Sequence, residues 1–282
     1  MLLRWKGSSP LKKFFIILLQ VMLIGYILLI LYPLFNMIMS SFKSTREILT
    51  TPFALPQQFD FTNYISVWVD RGFSLYFTNS IWITGLAMIF VVLLGSMAAY
   101  GITRFKFKGS TFLYLLFLSG IMLPLRAAII PLFQLIVGMD LYDTPAAVIL
   151  IFIAMGLPST VFILAGFMRT IPQSLLQAAQ IDGASEVRIY AQIVMPIAMP
   201  SVALVTIFNA VPIWNDFFFP LIFLRTNSFM TLPLGLTTFI GQYGTRWDLM
   251  FTGVSIAIVP VLILYLLMSK YFIKGMTSGA IK

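Results

Sequence analysis

Two ionisable side chains, Arg126 and Asp216, stand inside stretches that are otherwise almost pure hydrocarbon. A charge in such a run faces a cavity or a partner, because contact with lipid tails is expensive. Asp216 follows Trp214 and Asn215 directly, and Asn209 precedes them on the same run. Amides and a carboxylate exchange hydrogen bonds with hydroxyl groups, and an indole offers a flat apolar face. Arg126, Asn209, Trp214, Asn215 and Asp216 therefore make a candidate path for a polar solute. Snorkelling is the alternative for both charges. At about 1.5 Å per residue, Arg126 lies roughly fifteen residues into its run and Asp216 roughly twenty, both past the midpoint.

The remaining chemistry is defined by what the chain lacks. It has no His and no Cys, so a Ser-His-Asp triad, a thiol nucleophile, histidine or thiolate metal ligation and disulfides are all excluded. No catalytic constellation and no metal site emerges, and no cofactor is implied. No Gly-x-x-x-x-Gly-Lys-Ser/Thr loop occurs, so the chain does not hydrolyse ATP by that route.

The elements that must position these residues are membrane helices. Of 282 residues, 60% are hydrophobic and only 10% charged, the composition of an integral membrane protein. The formal net charge of +9 is scattered singly rather than massed on one face, which argues for membrane orientation and against nucleic acid. Six runs are long enough to span: 14–38, 76–100, 111–136, 145–168, 196–224 and 249–272. The third is interrupted by Arg126 between Pro124 and Pro131, and Gly156 with Pro158 predicts a distortion in the fourth. The fold class is an all-α membrane protein with six transmembrane helices. Residues 1–13 form an amino-terminal tail, 14–273 the membrane domain and 274–282 a carboxy-terminal tail. Lys and Arg residues concentrate in both tails, in the loop Arg104, Lys106 and Lys108, and at Arg169 and Arg188. The opposite side carries Lys43, Arg46, Arg71, Arg225 and Arg246 in its loops. The positive-inside rule then makes both termini cytoplasmic.

One polar island, residues 171–200, interrupts the hydrocarbon and overlaps a cytoplasmic loop at 169–196. Leu175, Leu176, Ala179 and Ile181 give it a short amphipathic helix, with Ser174 and Gln177 spaced as a capping box. Ala178 and Ala179 leave room for another backbone to approach closely. Gly183 permits the left-handed residue where this helix stops, and a second helix from Glu186 runs toward the membrane at Pro196. The result is a small helix displayed on one membrane face for a partner to grip.

Here the sequence resembles a known family. Gln177-Ala178-Ala179, then Gly183, then Ile193-Val194-Met195-Pro196 keep the spacing of the cytoplasmic loop of ABC importer permeases: Glu-Ala-Ala, three residues, Gly, nine residues, Ile-x-Leu-Pro. Asp182-Gly183-Ala184-Ser185, Trp214-Asn215-Asp216-Phe217 and the glycine-containing tail from Gly275 resemble the carbohydrate-uptake branch, the relatives of the maltose permease. Gln177 stands where that family has glutamate, and Met195 where it has leucine. The resemblance covers residues 10 to 282. It implies a non-catalytic subunit of an ATP-driven importer in a bacterial or archaeal inner membrane, forming half of the pathway for a sugar or oligosaccharide. It also implies a second homologous permease, two ATPase subunits and an extracytoplasmic solute-binding protein as partners, besides membrane lipid. In it, Gln177, Ala178, Ala179, Asp182 and Gly183 belong to a coupling helix seated on an ATPase, with Leu175, Leu176 and Ile181 as apolar anchors. An ion-coupled secondary transporter would rest on Asp216 as its sole embedded carboxylate. An intramembrane enzyme lacks the residues it would need. A polyol or glycerol-phosphate substrate is the alternative to a sugar, with Arg126 as the natural phosphate partner.

Overall fold

The computed structural model describes residues 10–105, 107–241 and 244–280. Arg4, Lys6, Lys106 and Lys282, counted above for orientation, lie outside the described residues, as do the side chains of Lys270 and Lys274. Two compact units form: residues up to Arg71 with Phe239–Ile256, and Gly72–Thr238 with Ala257 onward.

In the first unit, α1 (Pro10–Ser40) is a long apolar rod that stays exposed along most of its length. Its end turns into α2 (Thr45–Thr50) through a capping box. Ser44 N–H donates to Glu47 Oε2 at 2.8 Å, and Glu47 N–H donates to Ser44 Oγ at 3.3 Å. The Ser44 N–H bond holds the Glu47 carboxyl below the usual carboxylate range. Asn63 and Tyr64, in α3 (Thr62–Ile65) before a π turn at Ser66–Asp70, fold back on this junction. The Tyr64 hydroxyl lies 2.7 Å from Ser41 Oγ, and Asn63 Nδ2 reaches the Ser41 and Lys43 carbonyls. Lys43 is itself buried and donates to the carbonyls of Thr51 and Pro52.

The second unit is built on α4 (Phe73–Arg104), α5 (Ser110–Met122), α6 (Ile129–Gly138), α7 (Pro145–Met168), α8 (Gln173–Ile181), α9 (Glu186–Ile189), α10 (Met195–Trp214) and α11 (Phe218–Phe223). Along the chain after α11 come α12 (Leu232–Gly235), a two-residue ladder Ile240–Gly241 with Gly244–Thr245, and α13 (Trp247–Ala280). Among the described residues, five helical stretches are long and apolar enough to cross a membrane: Leu11–Ser40, Phe73–Arg104, Pro145–Met168, Glu186–Trp214 and Trp247–Ser269.

The predicted third span is therefore not one helix. α5 and α6 are separated by a non-helical turn at 123–128, and neither alone is long enough to cross. The cause is local. Leu123 precedes Pro124, whose ring disfavours helical geometry at the preceding residue, and Leu123 is extended at φ −77°, ψ 120°. The turn re-pairs its own backbone, with Ala127 N–H on the Pro124 carbonyl at 2.8 Å.

The distortion expected at Gly156 and Pro158 does not break α7, which runs unbroken from Pro145 to Met168. Gly156 instead admits a neighbour. A Cβ built there would stand 2.7 Å from a methyl of Val91 on α4 and 3.3 Å from Asn209 Oδ1 on α10. Gly95 on α4 faces Thr160 in the same manner. Small residues bring α4 and α7 into backbone-close contact, as in other membrane helix pairs. Ile83, Val91, Val148, Phe152 and Phe219 fill the core around them. Between α6 and α7, Asp143 at φ +57° takes the N–H groups of Arg225 and Thr226 and the Thr226 hydroxyl. The hydroxyl bond, then the two amide bonds, hold its carboxyl below the usual range.

Gly156→Leu should overpack this junction and cost roughly 1–3 kcal/mol or more. The purified protein should lose several degrees of apparent Tm in detergent, whereas Ala154→Leu, on an exposed face of the same helix, should leave it unchanged.

Candidate functional site

The polar island folds as two short helices at an end of the second unit. α8 starts at Gln173, not Ser174. Pro172 is the residue before it, with φ −58°, and no side-chain cap is made. A proline's fixed φ and missing N–H suit this position, so the expected Ser174–Gln177 capping box does not form. The other end follows the sequence. Gly183 takes φ +80°, Gly183 N–H bonds the Gln180 carbonyl and Ala184 N–H bonds the Ala179 carbonyl, each at 3.0 Å. This is the Schellman pattern, which uses up the last carbonyls of the helix.

α8 has two apolar faces with different neighbours. Leu176 and Ala179 are buried against Tyr100, Met168, Ile171 and Ile189 of the same chain. Leu175, Ala178 and Ile181 point outward, Ile181 with 86% of its surface exposed, alongside exposed Gln177 and Asp182. The predicted partner-facing set is thus divided. Leu176 and Ala179 pin α8 to its own chain, while Leu175, Ala178 and Ile181 stay uncovered.

A carboxylate that the sequence reading passed over holds this corner together. Glu186, at the start of α9, accepts from Arg104 Nη2 at 3.0 Å and Nε at 3.2 Å. It also accepts from the Tyr100 hydroxyl at 2.6 Å and from Gln180 Nε2 at 2.7 Å. One side chain therefore joins the ends of α4 and α8 to α9. Its signal in the sequence was its type: apart from Asp182 it is the only acid in the island. From α9 the chain continues through a π turn, Tyr190–Val194, directly into α10, and Tyr190 meets Ser96 of α4 at 2.7 Å.

The second set of predicted residues lies around a cleft of about 930 Å³ between the 123–128 turn, α7 and α10. Arg126 and Asn209 line it, with Ser159 as the other polar side chain. Arg126 and Asp216 come together, Arg126 Nη2 donating to Asp216 Oδ2 at 3.1 Å. Asp216 does not sit in a span as expected. α10 ends at Trp214, and Asp216 occupies the break before α11, where its Oδ1 accepts Phe219 N–H at 2.9 Å. The break lies between Pro212, inside α10, and Pro220, inside α11.

The other three predicted path residues are engaged elsewhere. Asn209 is buried and fully bonded: Nδ2 donates to Thr160 Oγ1 and the Val205 carbonyl, and Oδ1 accepts from Ser159 Oγ. Asn215 is exposed, with Nδ2 on the Val211 carbonyl of its own helix. Trp214 is buried, its Nε1 donating to the Ala257 carbonyl at 3.0 Å and its ring edge-on to Phe77. It does not line the 930 Å³ cleft. It borders a separate apolar cavity of about 230 Å³ beside Pro260.

Against known proteins, residues 91–278 match the family model described as binding-protein-dependent transport system inner membrane component. The diacetylchitobiose uptake system permease protein of Streptomyces coelicolor is 35% identical over 263 residues, 93% of this chain and 87% of that protein. The arabinooligosaccharides transport system permease protein of Bacillus subtilis is 35% identical over 261 residues, 90% of this chain and 92% of that protein. A chain in the crystal structure of a bacterial ABC transporter involved in alginate import shares the fold, with a TM-score of 0.81 at 23% identity over 94% of this chain and 99% of that one.

The Glu186 junction makes a direct prediction. Glu186→Ala strands the Arg104 guanidinium, whose side chain is only 10% exposed, and should cost roughly 1–3 kcal/mol, less than a fully buried pair because Glu186 is itself a third exposed. Glu186→Gln keeps acceptors and should cost less. Thermal inactivation in detergent, with protease cleavage at Arg188 as the local reporter, should rank the two variants in that order.

Proposed function

Since this chain belongs to the binding-protein-dependent transport system inner membrane component family, we propose that it forms half of the translocation pathway of an ATP-driven importer for a sugar or oligosaccharide. The relatives named above for diacetylchitobiose and arabinooligosaccharides support this substrate class. A second permease closes the cleft from the other side. Two separate ATPase subunits supply the energy, and an extracytoplasmic binding protein delivers the solute. α5 and α6 with their intervening turn make the sixth crossing. Both termini and the α8 loop are then cytoplasmic, in the inner membrane.

The observation that carries the coupling role is the outward face of α8. A nine-residue helix held rigidly from behind by Leu176 and Ala179 leaves Leu175, Ala178 and Ile181 uncovered. A short helix laid apolar side outward into a groove is a recurrent mode of partner recognition. Gln177 lies on the exposed surface and is not used in capping, so it is free to meet the ATPase as a neutral amide.

Ala178→Arg should leave membrane insertion intact, lower retention of the ATPase subunits in detergent at least about tenfold, and abolish uptake. Normal retention with normal uptake would refute the coupling role. Gln177→Glu should be nearly neutral, within about 1 kcal/mol of ATPase binding. A large gain in binding would reveal a cation waiting at that contact.

A further inference from the structure

The cleft carries a charge whose counter-charge stands outside it. Among the described residues that line the cleft, Arg126 is the one charged side chain. Its side chain is 66% exposed, and its guanidinium rests over the Phe218 ring at 5.5 Å from the centroid. Asp216, by contrast, is only 5% exposed at its side chain and does not line the cleft. One carboxylate oxygen takes Arg126 and the other takes the Phe219 amide, so both oxygens of the buried carboxylate are already engaged within the chain.

We propose that Asp216 is a specificity-determining residue that cancels the Arg126 charge from behind the cleft wall, so that the path takes uncharged sugars and disfavours anionic ones. This rests on the reading of the cleft as the solute path. The geometry separates two properties of the arginine. Its remaining N–H groups are available to hydroxyl oxygens at the cleft surface, while its net charge is balanced 3.1 Å away. Charge balance matters here because low-dielectric walls focus the field of an uncompensated cation and concentrate anions near it. The other lining groups are chiefly aliphatic and aromatic, with no second charge to reset the potential. Aspartate at the break also accepts Phe219 N–H at the start of α11, a bond that the asparagine carbonyl can accept with the charge removed.

The absence of native cysteine makes the test direct. Ala154→Cys places one thiol on an exposed cleft-lining position of the chain in its assembled complex, with the parent complex as blank. Its rates with anionic sulfonatoethyl and cationic trimethylammonioethyl methanethiosulfonate are compared, and Thr50→Cys in the other unit serves as control. Adding Asp216→Asn should raise the anionic-to-cationic rate ratio at Ala154→Cys at least about fivefold, as one unbalanced charge nearby requires. The further change Arg126→Gln should return the ratio to within about twofold of the start, and the control should not move. A merely structural role for Asp216 predicts no such return, since the double variant has lost the pair as well. If the reporter reacts but its ratio is indifferent to Asp216→Asn, the charge-balance proposal is overturned while the path stands. If the reporter reacts with neither reagent in any nucleotide state, the path reading falls and the proposal with it.

Discussion

A hydrocarbon interior offers no partner to an unpaired N–H or C=O, so every break in a membrane helix has to be closed by the protein itself or opened to water. Two breaks organise the second unit: the turn at 123–128 and the residues between Trp214 and Phe218. Each re-pairs part of its backbone locally, Ala127 N–H on Pro124 and Phe219 N–H on the Asp216 side chain. Each also supplies one partner of the Arg126–Asp216 ion pair. The ion pair therefore joins two irregular segments that neither helix packing nor a backbone ladder would hold. Non-helical backbone at such a place is tolerated where it borders a cavity, and the 123–128 turn does border the cleft.

The opposite problem arises at α8, which needs attachment rather than an opening. A nine-residue helix is too short to persist in water by propensity alone. Its stability comes from Leu176 and Ala179 behind it, the Gly183 turn at its end, and Gln180 bonded to Glu186. Because Glu186 also bonds Arg104 and Tyr100, α8 is tied to the end of α4 as well as to the helix that continues into α10. On the coupling role proposed above, a push on α8 is delivered to two membrane helices through hydrogen bonds and covalent chain, with no flexible loop between.

What the sequence made legible were features set by local chemistry. The limits predicted for the fourth span, 145–168, match α7, since Pro145 suits a first helical turn and polar residues follow Met168. Gly183 took the left-handed conformation for which glycine is suited, and the amphipathic loop helix lies where its apolar spacing placed it. The family was legible from the same loop, and residues 91–278 bear it out. Hydropathy could not reveal the split of the third run, because a mostly apolar helix of thirteen residues, a turn and a mostly apolar helix of ten have nearly the hydropathy of one helix. Nor could spacing say which apolar side of α8 faces its own chain. Leu175 and Leu176 are adjacent and equally apolar, and only the position of α4 and α7 decides between them. Glu186 went unread because a single acid beside a membrane boundary is ordinarily a solvated residue, and its partners come from another helix.

Polar residues in the apolar stretches differ in how much of their hydrogen-bonding capacity the chain itself uses. Asn209 gives both donors and its acceptor to α7 and α10, so it fastens two helices and has little left for a solute. Trp214 gives its one donor to Ala257 and its ring to neighbours. Asp216 gives one oxygen to a helix end and the other to Arg126. Among the side chains lining the cleft, Arg126 has donors in surplus, since a guanidinium carries five N–H groups and a single oxygen of Asp216 takes from one nitrogen. A polar residue satisfied within the fold specifies packing; one left with unused donors on a cavity wall can address what passes through. By that measure Asn209, Trp214 and Asp216 chiefly hold the fold together, and Arg126 at the broken helix keeps unused donors on the cleft wall.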